Sequence, residues 1–451
     1  MPLNKISSYY VFFVYLFFGS LVFSPFLGGR QRVHDSYLVE LYAGYGFMID
    51  GLFNQGRLFS SWFYRALLFF DPPYRLVMAG STFLSVVFLS AAAFVVYRLV
   101  DKENNLLAVI GSFMLFFNLF VLESLLFFEN AVMSLGILLA VLAVAAFLAD
   151  RYWGCLGLML FSVFCYQPAV AFFPPLLVLF VGFRLDLIRG AFIHGAALLG
   201  NFLFLRLVSD DGRFYGEVRL LTNLLNSFTA SRDFLVNQYG FMPSFLFLAF
   251  LLLFLGLLVY YNKGSLLAFV ALFAATFVLL LPMASERWYI FPRSAVGLAG
   301  IGGLALVGLA LYAERVHRLV ILAAFLFLLV VSQQQIRIQM DSFANQHMDM
   351  LELAMLGERL RAYEEARGAP IERIYFGYRQ PKEWFRPQLG SFNDLTLSMW
   401  HVEWMPRPFL WHELGREVPV ARIDYVGHLA ERVTFADGVI YLVLNNVWGE
   451  P

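Results

Sequence analysis

The 451-residue chain is 60% hydrophobic, 18% aromatic and only 14% charged, where soluble domains average about 45–50% apolar and about 25% charged. That balance excludes an ordinary soluble protein. Equal counts of basic and acidic residues, 32 of each, leave no basic surplus for a nucleic acid. Cys155 and Cys165 lie in or beside one apolar run and read as buried thiols. No Cys/His cluster has zinc spacing, so no metal is expected.

Apolar runs of roughly 18 residues or more can cross a bilayer, because about 20 residues at 1.5 Å each span the hydrocarbon core. The first run, 9–27, is long enough to span and is followed by Gly28-Gly29-Arg30 rather than a small-residue cleavage site, so it reads as a membrane helix and not a signal peptide. The sequence then predicts spans at 76–98, 105–123, 130–149, 153–167, 169–183, 190–208, 242–261, 264–282, 294–312 and 318–332, eleven in all. Pro174-Pro175 predicts a kink inside the sixth, since neither ring nitrogen can donate to the helix ladder. The fold class expected is an all-α polytopic membrane protein, with interfacial helices in the first outer loop and a small C-terminal α/β periplasmic domain.

Orientation follows from the short loops. With Lys5 inside, the short connections at Arg98/Lys102, Arg151, Arg184/Arg189, Lys263 and Arg315/Arg318 are cytoplasmic, and each carries a basic residue. The long segments 28–75 and 209–240 then face outward, as do Arg287 and Arg293, which run against the rule. Residues 1–332 form the transmembrane domain, with 28–75 as its first outer loop. An odd number of spans puts the tail, 333–451, on the outer face. There, helical spacing over 341–367 precedes β-like runs at 371–378, 418–426 and 439–444.

The polar residues gather on that outer face. Asp35, Glu40, Asp50 and Arg57 lie in the first loop, Glu129 and Asn130 at the turn before the fourth span, and Tyr166 and Gln167 after the fifth. Glu286, Arg287 and Arg293 lie between the ninth and tenth spans. Tyr37, Leu38, Leu41, Tyr42 and Tyr45 have the spacing of a helix lying flat at the interface. The spans themselves are almost free of charge, which argues against an ion relay, and no internal repeat points to a transporter. A site assembled from outer loops suits an enzyme whose substrate is half lipid and half polar.

Three motifs carry a resemblance. Asp35 is followed by an aromatic run and Asn54-Gln55-Gly56-Arg57-Leu58-Phe59; next comes Phe128-Glu129-Asn130-Ala131-Val132-Met133-Ser134, and then Cys165-Tyr166-Gln167-Pro168. Their order and common sidedness over residues 1–330 resemble the glucosyltransferase-II-type family of bacterial O-antigen-modifying enzymes. That family belongs to the wider GT-C class of polytopic glycosyltransferases that use lipid-phosphate sugars. His34-Asp35 stands where that family often has a doubled acid, and Glu129-Asn130 where an Asp is usual; the tail matches nothing in it.

The resemblance implies transfer of glucose, or another hexose, from undecaprenyl phosphate to a hydroxyl of a lipid-linked O-antigen or other surface polysaccharide. The reaction would occur on the periplasmic side of the bacterial inner membrane. It implies no cofactor, since the lipid-phosphate sugar is itself the substrate, and as partners a flippase and the glycosyltransferase that makes the donor. A single inverting displacement needs one base for the acceptor proton. Asp35 fits that role, with Glu40 as the reserve carboxylate. The donor phosphate needs positive charge in fork geometry, which Arg57, Arg287 and Arg293 can give. Asp50, Glu129, Asn130, Tyr166 and Gln167 would line the sugar pocket. Without the resemblance, Asp35 reads equally as a helix N-cap, the arginines as headgroup contacts, and Tyr166-Gln167 as a polar helix end. A polysaccharide polymerase or ligase, or a lipid-linked sugar transporter, stands as the alternative.

Overall fold

The computed structural model describes residues 3–29, 31, 44–100, 105–182, 184–208, 249, 252–254, 256, 257, 259, 260, 300–313, 317–378, 407–423, 433–436 and 438–444. Contacts divide the chain into two compact units: Met1–Gly29 with Ile49–Gln339, and Arg30–Met48 with Met340–Pro451.

The first unit is helical. In chain order it contains α1 (Leu3–Val22), α2 (Ser24–Leu27), the last turns of α3 (Gly44–Asn54), α4 (Leu58–Leu67), α5 (Tyr74–Leu99), α6 (Leu106–Phe116), α7 (Leu119–Ser124) and α8 (Asn130–Leu148). There follow α9 (Tyr152–Cys165), a 3-10 turn over Gln167–Phe172, α10 (Phe173–Val181), α11 (Asp186–Val208), α12 (Ile301–Tyr312) and the first part of α13 (Arg318–Arg367). Among the described residues, four helices are long and apolar enough to cross a membrane: Tyr74–Leu99, Asn130–Leu148, Asp186–Val208 and Arg318–Met340. Shorter apolar helices occupy Tyr9–Val22, Leu106–Phe116, Tyr152–Cys165, Gln167–Val181 and Ile301–Tyr312. The chain is a predominantly helical membrane protein; most of the two spans expected at 242–261 and 264–282 lies outside the described residues.

The third expected span is interrupted for a local reason. The third stops at Phe117, and Asn118 turns the chain: its Oδ1 accepts from Val121 N at 3.0 Å and its Nδ2 donates to Leu115 O at 2.9 Å. A side chain that bonds nearby backbone in this way competes with the helix ladder. The fifth, expected at 153–167, is one helix, Tyr152–Cys165, and ends where Tyr166 becomes extended (φ −162°, ψ 113°). Pro174 and Pro175, expected to kink the sixth, stand where its 3-10 turn over Gln167–Phe172 gives way to α10. They fall in the first turn of α10, where the missing N–H groups have no helical partner to lose.

The center of the unit is α8, packed between α5 and α9. Of its apolar stretch 61% is buried, against 22% for Asp186–Val208, which marks α8 as central and α11 as peripheral. Helix α4 has inverted polarity for a soluble protein: Ser60, Ser61 and Tyr64 are buried, while Trp62, Phe63 and Leu67 are exposed. Phe69 and Phe70, just beyond it, are also exposed.

The second unit carries the end of α13, a short helix α14 (Arg407–Leu414) and four strands: β1 (Arg373–Tyr378), β2 (Val420–Ile423), β3 (Val433–Ala436) and β4 (Val439–Leu444). The sheet order is β2-β1-β4-β3, with β1 parallel to both β2 and β4, and β3 antiparallel to β4. Ile374 and Ile440 are fully buried, and Tyr375 stacks on Tyr441 with centroids 5.5 Å apart. Helix α14 is tied by Arg361 to Glu413 at 2.7 Å and by Trp411 Nε1 donating to Val418 O at 2.7 Å. Glu364 accepts from Ile371 N at 2.6 Å and pairs with Arg416.

Candidate functional site

The segment between α3 and α4 is a helix end followed at once by a helix start. Gly56 N donates to Phe53 O at 2.9 Å and Arg57 N donates to Leu52 O at 3.0 Å. That pair of bonds is the Schellman pattern, which places a left-handed residue just after the helix. Gly56 fills that place at φ +76°. A Cβ there would lie 2.8 Å from Leu205 Cδ2 and 3.0 Å from Gln167 Nε2, so glycine is required on both conformational and steric grounds.

Arg57 is the N-cap residue of α4 and points inward. Its Nη1 donates to Glu129 Oε1 at 2.9 Å, with the two side chains 16% and 3% exposed, so this is a buried ion pair. Its guanidinium carbon stands 5.1 Å from the centroid of the Tyr166 ring, within cation–π range. Arg57 Nε is buried and has no hydrogen-bond partner among the described residues. Burying two charges is tolerable only when each neutralises the other. Glu129 therefore holds Arg57 in place by one nitrogen, and the Nε–H is left an unsatisfied donor.

The remaining members hold this arrangement. Gln167 Nε2 donates to Gln55 O at 2.6 Å, and Asn201 Nδ2 on α11 donates to Gly56 O at 3.2 Å. Ser60 Oγ donates to Cys165 O at 2.9 Å, tying α4 to the end of α9. Below them, Tyr64 Oη and Ser81 Oγ both lie 2.6 Å from Phe128 O and 2.7 Å from each other. Burial drives the Tyr64 phenol well above its ordinary pKa, and the Ser81 bond offsets only part of that rise; the phenol therefore stays a neutral donor.

The residues expected to form the site divide into three groups. Arg57, Glu129, Tyr166 and Gln167, drawn from three separate stretches of sequence, meet in one place. Asn130 and Asp50 lie elsewhere. Asn130 is fully buried: its Oδ1 accepts from Ser85 Oγ at 2.9 Å, and its Nδ2 donates to Thr82 Oγ1 at 3.3 Å and Leu125 O at 3.2 Å. Its amide protons are thus engaged in packing α8 against α5, not offered to a sugar. Asp50 is 69% exposed and pairs with Arg65 at 2.7 Å on the surface. Asp35, Glu40, Arg287 and Arg293 lie outside the described residues.

Asn201 was not among the expected residues. It carries no motif, and its one mark in the sequence is that it is a lone amide inside an apolar span. No group of three or more His, Cys, Asp or Glu placed to hold a metal occurs among the described residues. Comparison with protein-family models, with curated proteins and with solved structures found no match to this chain.

Proposed function

We propose that this protein is a multi-pass glycosyltransferase of GT-C type that moves glucose, or another hexose, from undecaprenyl phosphate to a hydroxyl of a surface polysaccharide. The observation that carries the reading is Arg57. It is a largely buried arginine, 16% exposed, braced by Glu129 and Tyr166, with its Nε lacking a hydrogen-bond partner among the described residues. A guanidinium braced by a carboxylate, with its Nε–H still unpaired, suits a phosphate oxygen. The exposed aromatics of α4 beside it, Trp62 and Phe63, suit a helix at the lipid interface, where a polyprenyl tail would lie.

In this reading the phosphate is the leaving group and needs charge stabilisation, not an acid. Asp35 takes the acceptor proton, with Glu40 as the alternative carboxylate. Arg57 grips the donor phosphate, joined by Arg287 and Arg293, and Tyr166 and Glu129 form the wall of the site. The site faces the periplasm of a bacterial inner membrane. A flippase and a donor-making glycosyltransferase supply the lipid-linked sugar.

The test is turnover. Purified protein in liposomes is expected to transfer labelled glucose from undecaprenyl phosphate to a polysaccharide acceptor. Asp35→Asn, still inserted in the membrane, is expected to lose on the order of 10²–10⁴ in rate, the usual contribution of a general base. Full activity in Asp35→Asn removes the base assignment. Absence of turnover with every polysaccharide acceptor removes the enzyme reading and leaves transport in its place.

A further inference from the structure

Asn201 sits within Asp186–Val208, one of the four membrane-spanning candidates, and is 4% exposed. An amide at such depth is costly unless its donors and acceptor find partners. Asn201 Nδ2 meets Gly56 O, while Gln167 Nε2 meets Gln55 O. A carbonyl only accepts, so in both cases the amide nitrogen is the atom that must face it.

Two consecutive carbonyls of one turn are therefore each held by a side-chain amide from a different part of the fold. The backbone donors of the same turn fold back onto α3 through the Schellman bonds, Gly56 N to Phe53 O and Arg57 N to Leu52 O. Leu205, one helical turn after Asn201 and on the same face of α11, blocks the space beside Gly56. The turn is thus fixed through its donors, its acceptors and its one open side. The next residue in the chain is Arg57.

We infer that Asn201 is a positioning residue: together with Gln167 it clamps the 55–56 carbonyls and so sets the place and angle of the Arg57 guanidinium. The inference rests on the reading of Arg57 as the phosphate grip. It also changes the role of Gln167, from a sugar contact to a brace acting through the same turn. Neither amide touches the phosphate. A bidentate grip is sensitive to small displacements, so loss of either brace weakens phosphate binding through Arg57 and not beside it.

The experiment is a double-mutant cycle on the full chain in detergent, titrated with undecaprenyl phosphate. Arg57→Ala is expected to weaken binding by at least about tenfold, as loss of a charge-assisted contact does. Asn201→Leu, which removes the donor and keeps the bulk, is expected to weaken binding about tenfold. In the Arg57→Ala background, Asn201→Leu is expected to add nothing, because a residue acting through Arg57 has nothing left to act on.

A second loss that adds in full to the first shows that Asn201 acts elsewhere and overturns the inference. So does native affinity in Asn201→Leu when Arg57→Ala is impaired, a result that leaves the phosphate reading intact. Native affinity in Arg57→Ala overturns the phosphate reading itself, and the positioning role with it. Should Asn201→Leu fail to fold, Gln167→Glu, nearly isosteric but without the Nε2 donor, carries the same cycle with the same expected pattern.

Discussion

Arg57 and Glu129 neutralise each other in a largely buried place. Replacing one by leucine strands a charge, which typically costs about 3–5 kcal/mol, whereas replacing both removes the desolvation cost of the pair. Arg57→Leu and Glu129→Leu are each expected to lower the unfolding temperature in detergent sharply. The double variant is expected to recover most of the loss while binding no undecaprenyl phosphate. A double variant no more stable than either single one would show that the pair is not the unit it is taken to be. The meeting of Arg57, Glu129, Tyr166 and Gln167 was legible in the sequence because all four fall at loop or turn positions on one expected membrane face. Asn130, adjacent to Glu129, was read the same way, but the first residue of a helix points elsewhere than the residue capping it, and its amide turns into the α5 interface. Asn201 was illegible because nothing in an apolar span indicates which carbonyl on a distant turn a lone amide will meet.

At the scale of elements, α6 and α12 pack backbone against backbone through glycine. A Cβ on Gly111 would lie 2.8 Å from both Leu306 Cβ and Val307 N, and one on Gly303 would collide with the Leu115 backbone. Small residues that let helix backbones approach are how helices associate where lipid removes the hydrophobic drive between them. Gly303→Val is expected to destabilise the protein by about 1–3 kcal/mol or more, the usual cost of overpacking. Gly157→Ala, where a Cβ meets nothing within 4 Å, should be neutral or slightly stabilising; the comparison is read from thermal unfolding of the two variants side by side. Apolar length identified the helices, yet it could not see their interruptions. Asn118 ends α6 by bonding its own neighbours, and Pro174-Pro175 stands in the first turn of α10, just after a 3-10 turn. Three of the four strands fall within the β-like runs read from the sequence. The fourth, Val433–Ala436, pairs with Val439–Leu444 across a two-residue connection containing Gly438 at φ +89°. Asp437-Gly438 between two apolar runs is a strong hairpin signal, and the sequence carried it.

For the whole molecule, the proposed chemistry depends on sidedness, and sidedness depends on parity. The first-loop carboxylates, the turn before α8 and the turn after α9 share one face only if the spans between them alternate without a missing or extra crossing. The short basic connections at Arg98, Arg151 and Arg184/Arg189 are the argument for that alternation over the first seven expected spans, because short cytoplasmic loops carry an excess of basic residues. The later spans decide where 333–451 lies: eleven crossings put it in the periplasm with the site, ten or twelve in the cytoplasm. A reporter that works only outside the cytoplasm, fused after residue 451, is therefore expected to be active, and so is the same reporter inserted at 71–72. An active insertion with a silent C-terminal fusion would keep the site periplasmic and move the tail away from it. A silent insertion would put the Arg57 loop in the cytoplasm, on the wrong side for a lipid-linked sugar delivered by a flippase. Because each reporter reads one parity, the pair separates an error in the number of late spans from an error in the orientation on which the catalytic proposal rests.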